Sequence, residues 1–237
     1  MSISENIVGV QKRLRIAAQR AHRDPNSIAL MAVSKTFPAE SIHEAHAAGL
    51  RLFGENRVQE FATKFAAVRS LPDVRFHMIG HLQTNKAAKA AELFHAIDSV
   101  DSLRLAQKLD ESAAKLGKRL RVLIEINVGE EAAKVGMAPT SPELEGLLAA
   151  APALSNLEIR GLMTVPPFTD DPEEARPYFR QLRELRDRLV SRNFPSVGLN
   201  ELSMGMSHDF EVAVEEGSTC VRVGTAIFGV RPRPAHP

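Results

Sequence analysis

A lysine that closes an otherwise apolar run is a candidate nucleophile. Lys35, in AVSKTF, follows the run Ile28 to Ser34. Desolvation at such a position disfavours the ammonium form and frees a neutral amine that can form a Schiff base with a carbonyl compound. Taken alone, the same residue reads equally well as a solvated lysine at a strand end. Two later stretches are small and rich in hydroxyls: Ser203, Gly205 and Ser207 in LSMGMSHD, and Gly224 and Thr225 in VRVGTAIFG. Hydroxyls and backbone N–H groups of this kind hold an anion such as phosphate, although either stretch by itself reads as an ordinary turn with capping hydroxyls. Arg222 lies between Val221 and Val223, so strand alternation points it away from both. Facing a ligand, its permanent charge would keep a pyridine nitrogen unprotonated, because protonation would set two cations side by side. Such a ring is a weaker electron sink.

These residues need elements to bring them together. Short apolar or β-branched runs recur eight times between longer helical patterns: Ile28 to Ser34, Leu50 to Gly54, Val74 to Ile79, Phe94 to Val100, Leu120 to Val128, Leu157 to Val165, Leu199 to Met204 and Thr219 to Gly224. Most are apolar on both faces, as strands are when helices cover a parallel sheet. Helices are expected over Asp101 to Leu116, with Leu105, Leu109, Ala113 and Leu116 on one stripe, and over Pro172 to Arg192, with Phe179, Leu182, Leu185 and Leu189 on another. Arg180, Arg183, Arg186 and Arg188 fall mostly off that second stripe and read as a solvated face. An extra amphipathic segment, Ile7 to Ala21, precedes the first strand and would close the bottom of the barrel or pack along its side.

Strand and helix alternating eight times over about 200 residues fit an α/β fold of the (β/α)8 TIM-barrel type, in which functional side chains sit at the C-terminal ends of the strands. The alternative is a doubly wound sheet. Its dinucleotide-binding form needs a glycine-rich first turn, and no Gly-x-Gly occurs in the sequence. A single domain is expected over 1–230, with 231–237 as a tail. Besides Lys35, the strand ends present Glu55, Asn56 and Arg57, then His77 and His81, then Met163 and Thr164, so that six segments are expected at one mouth.

Composition narrows the function. With 30 Lys plus Arg against 29 Asp plus Glu the net charge is +1, which leaves no surplus to attract nucleic acid or an anionic membrane. The single cysteine, Cys220, excludes a disulfide scaffold and points to a reducing compartment, so a cytoplasmic protein is expected. No apolar run approaches the roughly 20 residues that span a bilayer. Ser207, His208 and Asp209 are consecutive and cannot converge as a hydrolytic triad. His77 and His81 lack further ligands, so no metal site is expected. GTAIFG lacks the lysine of a nucleotide phosphate loop. Glu130, Glu131 and Lys134 read as an exposed loop.

A strand-end lysine, a phosphate cradle and an arginine for a ring nitrogen are together the parts that would hold pyridoxal 5′-phosphate. The sequence resembles the pyridoxal phosphate homeostasis protein family, single-domain relatives of the alanine racemase barrel. The resemblance runs through AVSKT, FGENRVQE, FHMIGHLQTNK, IDSVDS, INVGEEAAKVG, RGLMTV and LSMGMSHDFEVAVEEGSTCVRVGTAIFG, over nearly the whole chain. It implies a PLP fold type III barrel with a Schiff base on Lys35 and with Ser203, Gly224 and Thr225 on the phosphate. Arg222 would face the pyridine nitrogen, Asn56 and Met163 would line the ring, and Ser207 would support the phosphate loop.

The resemblance also frames the choice between enzyme and carrier. Racemases of this fold type use the lysine and a tyrosine from a separate C-terminal β-domain as bases on opposite faces of the ring. Here the chain ends after the eighth strand and its short helix. The single tyrosine, Tyr178, falls in a predicted helix away from the mouth. The expectation is therefore a monomeric carrier that takes up PLP and passes it to apoenzymes, with a slow amino-acid racemase or lyase as the alternative.

Overall fold

The computed structural model describes residues 2–129 and 135–230. Strands β1 (Ala29–Val33), β2 (Leu52–Glu55), β3 (Arg75–Met78), β4 (Ala96–Val100), β5 (Leu120–Glu125), β6 (Leu157–Met163), β7 (Val197–Met206) and β8 (Cys220–Val223) pair in parallel in sequence order. The sheet closes where β8 pairs with β1, Met31 opposite Arg222 and Ala32 opposite Val223. Closure excludes the doubly wound alternative. Helices α1 (Ile3–Arg20), α2 (Ala39–Ala47), α3 (Val58–Val68), α4 (Ala87–Leu93), α5 (Leu103–Lys115), α6 (Pro142–Ala150), α7 (Arg176–Ser191), α8 (Phe210–Glu215) and α9 (Thr225–Phe228) accompany the strands. The tail 231–237 and Glu130, Glu131 and Lys134 lie outside the described residues.

The N-terminal helix starts earlier than its apolar stripe suggested. The Ser2 hydroxyl accepts from the Glu5 N–H and the Glu5 carboxylate accepts from the Ser2 N–H, a reciprocal cap that sets the first turn. Ile7, Val10, Leu14, Ala17 and Ala18 are buried against α8, α9 and α2, so α1 lies along the side of the barrel. The helix after β8 has only four residues. Helix α1 fills the slot that this short helix leaves open between α8 and α2.

Other boundaries moved for local reasons. Ser102 caps α5 by accepting from the Leu105 N–H, and Leu116, expected on the apolar stripe, becomes the C-cap and is 48% exposed. β7 runs longer than expected at both ends and shifts register against β6 and β8. β5 and β6 end sooner, at Glu125 and Met163. The expected helix from Pro172 divides into a 3-10 turn, Pro172–Ala175, and α7.

Of the four arginines read as a solvated face, Arg188 is exposed, whereas Arg180 and Arg183 are engaged. Arg176, Arg180 and Arg183 converge on the buried carboxylate of Glu216, just beyond α8, at 3.1, 3.0 and 3.0 Å. Sequence periodicity could not show this, since Glu216 is supplied from another helix-strand unit. Burial alone would raise the Glu216 pKa, but the arginines outweigh it and hold the carboxyl below its ordinary value. A depressed carboxyl contributes stability that is present above the usual glutamate range and is lost as pH falls through the folded value. Glu216→Gln is accordingly expected to lower the melting temperature by roughly 2–6 °C at neutral pH. Thermal melts at descending pH should show the gap to the parent narrowing below about pH 4.5.

Candidate functional site

At the C-terminal end of the barrel a cavity of about 480 Å³ is lined by Val33, Lys35, Asn56, Ile79, Val165, Phe168, the segment Met206 to Asp209, Arg222, Gly224 and Thr225. It gathers six of the eight candidate residues: Lys35, Asn56, Ser207, Arg222, Gly224 and Thr225. Met163 and Ser203 do not border it. Both are fully buried and pair with each other across β6 and β7. β6 ends at Met163, so Val165 and Phe168 of the following loop form that wall instead.

Arg222 resolves the question of its orientation. It is buried inside the barrel, borders the cavity, and spends three N–H groups on the chain: one Nη donates to the Ser203 carbonyl (2.6 Å) and the Ser203 Oγ (2.8 Å), the other to the Thr164 carbonyl (2.7 Å). Among the described residues the Nε–H and one Nη hydrogen have no hydrogen-bond partner. Burial lowers the guanidinium pKa, and the fields of Cys220, Asp98, Glu125 and Asp209 oppose that effect. Ser203, expected on a phosphate, is here the hydroxyl that orients Arg222.

The two loops expected to cradle an anion are joined. Ser207 Oγ accepts from the Gly224 N–H at 3.1 Å and the Ala226 N–H at 3.3 Å, so the hydroxyl after β7 fixes the turn after β8. Gly205, near the end of β7, lets the chain leave the strand close against α8. Its φ is 92°, and a Cβ would stand 2.5 Å from Ala213 Cβ. Asp209 accepts from the Met206 N–H at 2.6 Å and closes the loop on itself. Across the cavity, Gly80 lets the loop after β3 lie against Asn56, whose carbonyl a Cβ would approach to 2.5 Å. Ser99 Oγ pins that loop by donating to the Gly80 carbonyl at 2.7 Å.

Several residues stand elsewhere than the sequence suggested. His77 lies within β3, pairs with Asp98 at 3.1 Å, and lines a second cavity of about 650 Å³ that contains residues from the strand starts. Two of the arginines there are engaged, Arg121 with Glu201 and Arg51 with the His46 and Leu50 carbonyls. His81 pairs with Asp101. Tyr178, by contrast, is where the sequence placed it, in α7, half-buried against the core and away from the C-terminal cavity. Phe168, His208 and Glu125 were not anticipated. Phe168 is 77% exposed at the rim with its ring 5.7 Å from that of His208. No sequence signal marks it, because an aromatic in a polar loop gains meaning only from the cavity beside it.

Comparison with known proteins gives the arrangement a family. The alanine racemase N-terminal domain family matches residues 9–232. A pyridoxal phosphate homeostasis protein of Aquifex aeolicus is 46% identical over 231 residues, 98% of this chain and 99% of that one. One from Pseudomonas aeruginosa is 47% identical over 230 residues, 97% and 96% of the two chains. This chain belongs to the pyridoxal phosphate homeostasis protein family. Within the family, solved structures of PipY from Synechococcus elongatus without and with PLP bound superpose with TM-scores of 0.83 and 0.81 at 41% and 40% identity. Each covers 96% of this chain and all of that one. An alanine racemase of Clostridium difficile, at 17% identity and TM-score 0.67, shares the fold, and the match covers 58% of its chain.

At the last position of β5, Glu125 is buried, and its Oε2 has no hydrogen-bond partner among the described residues. Burial foremost, with Asp101 adding to it against the pull of Arg222, raises its pKa to about 7. An acid raised in the folded state contributes stability that is complete below its unfolded value, about 4.5, and is lost as pH rises through about 7. Glu125→Gln should abolish that loss, ~3 kcal/mol at most. Urea unfolding at a series of pH values from 4.5 to 8 measures it.

Proposed function

We propose that the protein binds pyridoxal 5′-phosphate in the C-terminal cavity and serves its homeostasis, holding the cofactor through a Schiff base on Lys35 and releasing it to apoenzymes. The observation that carries this reading is the meeting of Lys35, Arg222 and the joined Ser207 and Gly224–Thr225 turns on one cavity. A relative 40% identical to this chain carries PLP in its solved structure. The relatives named above are homeostasis proteins, which supports a carrier rather than an enzyme.

The residues present fit the cofactor. Bound PLP supplies an electrophilic aldehyde on an electron-withdrawing ring. Lys35 offers the amine that captures the aldehyde carbon. Ser207 keeps the backbone of Gly224 and Ala226 in one conformation, so that the turn and the Thr225 hydroxyl meet the phosphate without reorganising. Gly224 leaves the space beside Val33 open. Arg222, held by Ser203 and Thr164, presents its remaining N–H groups to the ring nitrogen and keeps that nitrogen unprotonated. Asn56 lines the ring, while Val33, Ile79, Val165 and Phe168 give the cavity its apolar wall. Ser203 and Met163 act beneath the cavity, the first through Arg222 and the second by packing. The reading places a monomer in the cytoplasm. No helix among the described residues is long and apolar enough to cross a membrane.

A slow amino-acid racemase or lyase is the second reading, favoured by His208 and Asp209, which line the same cavity as Lys35. Both are engaged: His208 Nε2 with the Asp170 carbonyl at 2.9 Å, and Asp209 with the Met206 N–H. Incubating the loaded protein with single amino-acid enantiomers in deuterated water separates the readings. Exchange at the α-carbon above the rate with free PLP supports the enzyme, and exchange at that rate supports the carrier.

Lys35→Ala is expected to remove the visible absorbance of the purified protein and to cut its PLP content at least tenfold. Borohydride reduction of the parent, followed by peptide mapping, should place the reduced adduct on Lys35. A variant that stays yellow with unchanged PLP would overturn the assignment.

A further inference from the structure

The turn that carries Lys35 is fastened from behind by three charged side chains, none of which borders the cavity. Thr36 has φ 67°, a left-handed conformation that a β-branched residue adopts only when its surroundings impose it. The surroundings here can be named. Glu60 Oε1, from α3, accepts from the Thr36 N–H at 2.6 Å. Lys64, one turn further along α3, donates to the carbonyls of Ser34 at 3.2 Å and Phe37 at 3.1 Å. Glu55, at the end of β2, accepts from Ser34 Oγ at 2.7 Å and from Lys64 Nζ at 2.8 Å. Lys64 also lies 3.4 Å from Glu60. Every residue flanking Lys35 from Ser34 to Phe37 is therefore held by at least one of the three.

The placement is costly for a purely structural device. The Glu55 side chain is fully buried and that of Lys64 is 10% exposed. A buried ion pair is seldom more stabilising than well-packed apolar side chains of the same volume. What an apolar pair cannot do is bond to polar backbone atoms of a turn and fix their directions. If those bonds were released, Thr36 would relax to negative φ, and rotation about the neighbouring peptides would redirect Lys35.

We propose that Lys64, with Glu55 and Glu60, positions Lys35: the three hold the turn from Ser34 to Phe37 in the strained conformation that aims the lysine into the cavity. This deepens, and rests on, the reading of Lys35 as the amine that holds PLP. The three touch neither ligand nor reacting atoms, so they are positioning residues. Held in this way, the amine meets the aldehyde already oriented, and the lifetime of the bound cofactor depends on α3 as well as on the cavity wall.

Glu60→Ala tests the clamp at its most exposed member. It should leave the melting temperature close to that of the parent, speed transfer of PLP to an added apoenzyme at least tenfold, and change the acetic anhydride labelling rate of Lys35 in the PLP-free protein, read by peptide mapping against the other lysines. Thr36→Gly in the Glu60→Ala background should restore both rates, because glycine adopts positive φ without being held. Failure of that rescue would assign the effect to lost charge and overturn the proposal. The pair Lys64→Met with Glu55→Gln, which leaves no lone buried charge, should behave as Glu60→Ala does. If that pair does not fold, Glu60→Ala and its rescue decide. Parental labelling and transfer rates in a folded Glu60→Ala protein would overturn positioning while leaving the PLP reading intact. PLP retained by Lys35→Ala would instead remove the site on which the proposal rests.

Discussion

Closure of the sheet between β1 and β8 is the constraint on which the site depends. Backbone hydrogen bonds set Met31 opposite Arg222 and Ala32 opposite Val223. The exits of the first and last strands are thereby brought side by side, and Lys35 meets Gly224 and Thr225 although most of the chain separates them. An open sheet would leave β1 and β8 unpaired and the lysine without its partner loops. Closure also removes both edges of the sheet, which would otherwise carry unpaired backbone groups. Helix α1 then covers the side of the barrel that the four-residue α9 leaves bare.

A closed barrel of this kind ordinarily fills its interior with branched apolar side chains. Here the interior carries Arg222, Glu125, Asp98, His77 and Ser203, all buried. Such groups are tolerated when each is paired or neutral. Arg222 rests on two carbonyls and a hydroxyl, His77 on Asp98, and Glu125, its pKa raised to about 7, carries no buried charge in mildly acidic solution. The same economy governs the periphery, where Glu216 is buried only because three arginines of α7 surround it. Polar groups in these layers determine where the guanidinium points. The aliphatic and aromatic layers around them supply the stability.

Similarity at two distances separates fold from function. A racemase at 17% identity shares the barrel, and what it catalyses does not carry over to this chain. Homeostasis proteins at 46% and 47% identity, aligned over nearly the full length of both chains, share far more of the sequence. The cavity is where that kinship can be examined residue by residue, since a lysine, an arginine and a hydroxyl-held turn converge on it.

Much of this was legible in one dimension. Eight apolar runs alternating with amphipathic stretches implied the closed barrel, because strands covered on both faces and helices covered on one have distinct periods. Lys35 stood out as a charge closing an apolar run, Arg222 as a charge alternating with valines, and Ser207 and the Gly224–Thr225 pair as small or hydroxyl-bearing residues at or just after the ends of such runs. The clamp of Glu55, Glu60 and Lys64, the convergence of α7 on Glu216, the rim aromatic Phe168 and the depth of Ser203 and Met163 were not legible in this way. Local period fixes which face of an element is buried. Which charges meet, and which side chain stops short of a cavity, depends on register shifts and helix placements that exist only after distant segments have packed.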